Sequence, residues 1–262
     1  MKTMTPKYAL FVGAFIAVGL LMGAAGALAD TIPAGGPPTE FPGLAVMMNS
    51  HGHGPPAHVN PPGLEIAKDK FQYKGKGRVG AFDVDWTVEA DPDPYINVFL
   101  ELVNTTGTAQ DFTFSPVLNI DPQIIGGIIT GGSLSGTLID MNGDGASLSL
   151  VSGANPPPIY TAQIDGIDYE TMNLPTLPLV AAPHGTAGIG PMEFGTPIPS
   201  MVEPTMSVLD TIGIEINASV SGRDRAYVVA TFVVEPVPEP SSSVLLIMSV
   251  FAAIALCVRR RR

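Results

Sequence analysis

Six residues near the middle of the chain have the types and order of a cation loop. Asp140-Met141-Asn142-Gly143-Asp144-Gly145 fits D-x-[DN]-x-[DN]-G. In such loops oxygen ligands alternate around a hard ion, and glycine at the sixth place permits the sharp turn. A calcium site would use Asp140, Asn142 and Asp144 and borrow distant ligands, because the twelfth position, where a bidentate glutamate is expected, is Val151. The same residues also read as a plain hairpin turn. Asn142-Gly143 is the favoured type I′ pair, with apolar and polar residues alternating on both sides. Both readings stay open, since ~millimolar affinity serves where calcium is extracellular.

Other clusters carry less. His51, His53 and His58 could clasp a transition metal, but they stand among prolines and glycines that hold no geometry, so solvated side chains are the simpler expectation. Lys68, Lys70, Lys74, Lys76 and Arg78 lie within eleven residues, with Phe71 and Tyr73 between them. Such a stripe could grip an anionic polysaccharide while the aromatics stack on sugar. It could equally protect the edge of a sheet from pairing with other chains, as lysines commonly do. The carboxylates Asp83, Asp85, Glu89, Asp91 and Asp93 alternate outward like a solvated surface. Glycoside hydrolysis needs two carboxylates at a set distance in a cleft, and a serine triad would need His184 in a Pro/Gly-rich stretch. There is no G-x-S-x-G, HExxH or phosphate loop, so the expectation is a protein that is not an enzyme and has no required cofactor, calcium being the one candidate.

Charge narrows the partners. Six of the 13 basic residues are Lys2, Lys7 and Arg259 to Arg262, while all 24 acids lie between Asp30 and Glu239, which leaves the middle at −17. Nucleic-acid binding depends on neutralising phosphates with Lys and Arg and is not expected here. The only cysteine, Cys257, sits near the end, so the body has no disulfide or thiolate site.

The elements that must position these residues are strands. Val84-Asp85-Trp86-Thr87-Val88-Glu89 alternates with period two, as a half-buried strand requires. Similar runs follow at 96–103, 112–114, 133–138 and 148–150. Ile212 to Val220, a Gly222-Arg223-Asp224 turn and Tyr227 to Val234 read as a final hairpin. The expected fold is all-β, a β-sandwich of jelly-roll or Ig-like type over residues 67–236. A disordered N-terminal arm is expected at 30–66, because residues 31–63 hold eight prolines and six glycines. Residues 170–206, with seven prolines and no periodicity, read as a long surface loop.

The two ends address the protein. Lys2 and Lys7 precede an uncharged stretch ending Ala27-Leu28-Ala29, which predicts a signal peptide (1–29) cut by signal peptidase between Ala29 and Asp30. At the other end Pro238-Glu239-Pro240 leads through three serines into an apolar run, 244–258, closed by Arg259, Arg260, Arg261 and Arg262. At ~1.5 Å per residue this run barely spans a bilayer, and terminal arginines stay cytoplasmic.

Residues 237–262 resemble the PEP-CTERM sorting signal: a Pro-Glu-Pro motif, a short transmembrane helix and a basic cluster, in order. The resemblance implies that a membrane-embedded exosortase recognises Pro238, Glu239, Pro240 and the arginine cluster and removes the tail. The body, held transiently at the inner membrane, would then pass to the cell surface or the exopolysaccharide matrix as a structural or interaction protein. A carbohydrate- or calcium-binding module of the same architecture is the alternative. The stretch from Asp91 to Gly145 also looks like a body type seen among PEP-CTERM proteins, to which no activity attaches.

Overall fold

The computed structural model describes residues 43–91, 94–124, 127–195 and 209–236. Among them the chain forms strands and no helix. In chain order these are β1 (Leu44–Ser50), β2 (Ala57–Val59), β3 (Leu64–Ala67), β4 (Lys70–Val79) and β5 (Phe82–Asp91). Next come β6 (Tyr95–Asn104), β7 (Gln110–Ile124), β8 (Ile128–Ile139), β9 (Ala146–Ser149) and β10 (Tyr160–Ile164). The last are β11 (Ile167–Met172), β12 (Leu179–Ala181), β13 (Thr186–Phe194), β14 (Leu209–Val220) and β15 (Arg225–Pro236). All pairings are antiparallel. One sheet runs β11-β10-β14-β7-β1-β2, with β9 joining β14 to β12; the other runs β13-β8-β15-β6-β5-β4-β3.

The two sheets face one another across a single core. Period-two patterning puts Phe82, Val84, Trp86 and Val88 of β5 inward with Ile96, Val98, Leu100 and Leu102 of β6. They meet Phe112, Phe114 and Leu118 of β7 and the Ile212, Ile214, Ile216 row of β14. Aromatic rings bridge the layers: Phe82 lies 5.0 Å from Phe112 and Trp86 5.8 Å from Phe114. The Tyr160 hydroxyl of one sheet donates to the Thr231 carbonyl of the other at 2.8 Å. The all-β, two-sheet expectation holds.

Four local expectations are corrected. The expected arm at 30–66 contains β1, β2 and β3, and the sandwich begins at Leu44 rather than residue 67. Leu44, Val46 and Met48 are buried, and β1 pairs with β7 from Leu44↔Leu118 to Ser50↔Phe112. Among the described residues the prolines of this stretch, Pro55, Pro56, Pro61 and Pro62, fall between strands, so composition hid a short alternating run. The expected loop at 170–206 likewise carries the end of β11, then β12 and β13, while 196–208 lie outside the described residues. The third correction concerns the final hairpin: β14 and β15 belong to opposite sheets. Each buries a full row of aliphatic side chains and needs the other sheet as cover, so residues 221–224 form an arch across the ~10 Å between layers. Residues 140–145 are also an arch and no hairpin, since β8 and β9 lie in different sheets.

Candidate functional site

Three sheet-switching connections meet at one pole of the sandwich: 140–145 after β8, 182–185 after β12 and 221–224 after β14. Backbone bonds tie them together, Asp140 N–H to the Gly185 carbonyl and Ser221 N–H to the Ser147 carbonyl, both at 3.0 Å. The buried amide of Asn104 donates to the Val220 carbonyl at 2.8 Å and the Ser221 carbonyl at 3.1 Å.

Asp140 is the hub of this knot. Its Oδ1 accepts the N–H of Asn142 at 3.2 Å and of Gly143 at 3.0 Å, and its Oδ2 accepts the N–H of His184. Asp-x-Asn-Gly readily makes such side-chain-to-backbone turns. Gly143 must be glycine: its φ is +87°, and a Cβ there would stand 2.3 Å from the His184 ring. Asp224 reaches in from the third arch. Its Oδ1 accepts Met141 N–H at 3.2 Å and its Oδ2 accepts the Ser221 hydroxyl.

Carboxylate oxygens of Asp140, Asp144 and Asp224 lie within 4.8 Å of one another. Burial pushes the Asp140 carboxyl up, but the N–H groups of His184, Gly143, Asn142 and Gly145 outweigh it and hold the group below its ordinary value. Burial raises Asp224, and the neighbouring Asp140 charge adds to the rise. Three oxygen donors at this spacing could hold a hard divalent cation. Of the sequence-predicted ligands, Asp140 and Asp144 come together. Asn142 instead accepts Asp144 N–H through Oδ1 and donates to the Gly222 carbonyl. Asp224 was missed because, locally, Gly222-Arg223-Asp224 signals only a turn; the arch alone carries it to the pole.

The histidines are held separately. His51 Nε2 shares a hydrogen bond with Thr113 Oγ1 at 2.9 Å and His53 Nε2 with Gln110 Oε1 at 2.7 Å, both on β7. His58 lies on β2 opposite Met47.

The basic stripe occupies the β3–β4 turn (Lys68) and β4 itself. Phe71 and Tyr73 are 6 % and 1 % exposed and belong to the core, so they cannot stack on a saccharide. Asp85 pairs with Lys76 at 2.7 Å and Asp83 approaches Arg78 at 4.0 Å, which cancels charge that a polyanion would need. β3 pairs with β4 only as far as Gln72, so Lys74, Lys76 and Arg78 line an edge with no further strand among the described residues. This is the placement that edge protection requires.

β15 carries the chain to the opposite pole and ends at Pro236, one residue before Val237-Pro238-Glu239-Pro240. The sorting motif, the apolar run 244–258, Arg259 to Arg262, and Ala29 and Asp30 at the other end lie outside the described residues. No helix among the described residues is long and apolar enough to cross a membrane. No curated protein matched the chain. A family model described as the PEP-CTERM protein-sorting motif matches residues 236–262, which implies export and exosortase processing at the membrane. The chain is a two-sheet β body that runs directly into a PEP-CTERM sorting signal.

Proposed function

We propose that the protein is exported, released from its membrane tail by exosortase, and deployed at the cell surface or in the exopolysaccharide matrix as a non-catalytic structural or interaction protein. The observation that carries this reading is the sorting-motif match at 236–262, joined to an independently packed sandwich whose last strand stops at Pro236. The β5 acids support the non-catalytic part: Asp83 and Asp85 face β4 bases on an open sheet surface. Mass spectrometry of native protein from cells and medium tests the proposal. The mature chain should start at Asp30 and end near Pro238-Glu239-Pro240. Recovery of chains that retain Val258 and the arginines would refute it and leave an ordinary tail-anchored protein.

A second reading, calcium binding at the distal pole, is favoured by the arrival of Asp224 beside Asp140 and Asp144. A ligand that binds only the folded body raises its melting temperature. Calcium should do so for the unaltered protein and not for Asp144→Asn.

A further inference from the structure

The exit pole holds a groove of about 530 Å³, lined by Ile66, Glu89, Asp91, Tyr95, Glu235 and Pro236 among others. Its last lining residue stands immediately before the sorting signal. An extended chain covers at most ~3.6 Å per residue, so Glu239 lies within about 11 Å of Pro236. A protease that holds the motif must therefore press against this pole, or peel the end of β15 away. Peeling is costly: Val234 is buried, its N–H bonds the Pro94 carbonyl at 2.9 Å, and β15 pairs with β8 to its final residue, Pro236↔Ile128.

The groove's chemistry is asymmetric. On one wall Ile66 is 46 % exposed, and Leu64 on the same strand is 63 % exposed. Glu89, Asp91 and Glu235 outnumber the one basic lining residue, Lys70. An anionic lipid surface would be repelled by this excess of acids. A basic, partly apolar protein surface would be drawn in.

We infer that the exit-pole groove is a docking surface for the extracytoplasmic face of the exosortase, engaged together with the motif. This inference rests on the sorting reading. Two contacts made at once by one enzyme raise the effective concentration of the second, so the body contributes to its own processing rate.

Pulse-chase of the full-length precursor in exosortase-bearing cells tests the inference. Ile66→Asp combined with Glu89→Lys, far from the motif in sequence, should slow conversion by ~10-fold or more while the melting temperature of the body stays put. Inserting a dozen Gly/Ser residues between Pro236 and Val237 should slow the unaltered body and remove the effect of the groove substitutions. If the double variant converts at the unaltered rate, or the linker speeds conversion because the body was merely in the way, docking is refuted and sorting stands. If the unaltered precursor is never converted, the sorting reading falls as well.

Discussion

Replacing Asp224 separates the two roles that a buried carboxylate can play at the distal pole. Asp224 is fully buried and accepts the Met141 N–H and the Ser221 hydroxyl. Asp224→Ala orphans both donors, and each buried donor without a partner costs ~1–3 kcal/mol. The Ser221 hydroxyl can rotate, and loss of the charge beside Asp140 returns part of the cost, so the net is roughly 2–4 kcal/mol. For a body of this size each kcal/mol moves the midpoint by about 2–4 °C, so thermal unfolding should fall by about 4–16 °C. Asp224→Asn keeps the acceptor for Met141 and can donate to Asp140, so it should melt within a few degrees of the unaltered protein. The pH dependence has a definite sign. Burial raises Asp224 above the ordinary carboxyl value, so its contribution is full below that ordinary value and is lost as pH rises through the folded value. Asp140 is held below the ordinary carboxyl value, so its contribution is present above that ordinary value and lost as pH falls through the folded one. The Asn variant should therefore gain on the unaltered protein as pH climbs from acid toward neutral. Thermal melts in metal-free buffer decide the matter. If Asn falls as far as Ala, the negative charge itself is required and the hydrogen-bond account is wrong.

Four further outcomes are expected. Phe114→Ala, which removes the fully buried partner of Trp86, should cost ~3–5 kcal/mol in denaturant titrations. Lys76→Ala should leave the melting temperature unchanged, because the Lys76–Asp85 pair is exposed on both sides. Burial pushes the phenols of Tyr73 and Tyr95 up to about 12. Their stabilising contribution is complete below pH ~10 and lost as pH rises through the folded values, so ultraviolet titration should show tyrosinate from these residues late or together with unfolding. Glu239→Ala, or deletion of Arg259 to Arg262, should leave full-length precursor in the inner membrane on immunoblots.

Fold class was legible because period-two burial is a local property. Val84, Trp86 and Val88 announce an inward face wherever the strand goes. Sheet membership was not legible, since an arch and a hairpin use the same turn residues. Asn142-Gly143 and Gly222-Arg223-Asp224 look like hairpin turns, and only the membership of β8 and β9, and of β14 and β15, in opposite sheets makes them arches. The missed β1 has a related cause. Leu44, Val46 and Met48 are a clear alternation inside a stretch whose average composition is dominated by Pro and Gly. The candidate site was half visible. Asp140 and Asp144 stand in one loop, whereas Asp224 arrives through topology and carried no signal of its own.

The position of β15 has a mechanical consequence. It lies inside its sheet, paired with β6 from Arg225↔Val103 to Val233↔Tyr95 and with β8 along its whole length. Eleven steps of ~3.3 Å between its twelve residues make it a rod of roughly 36 Å between the poles. On the proposed reading, in which the tail is held in the bilayer until processing, any pull on the body enters along this rod. The load runs parallel to the strand, so the hydrogen bonds on both flanks are sheared together and share it, where an edge strand would unzip them one by one. The sandwich would thus be hung by a strand gripped on both flanks, so a pull on it loads two ladders of hydrogen bonds at once.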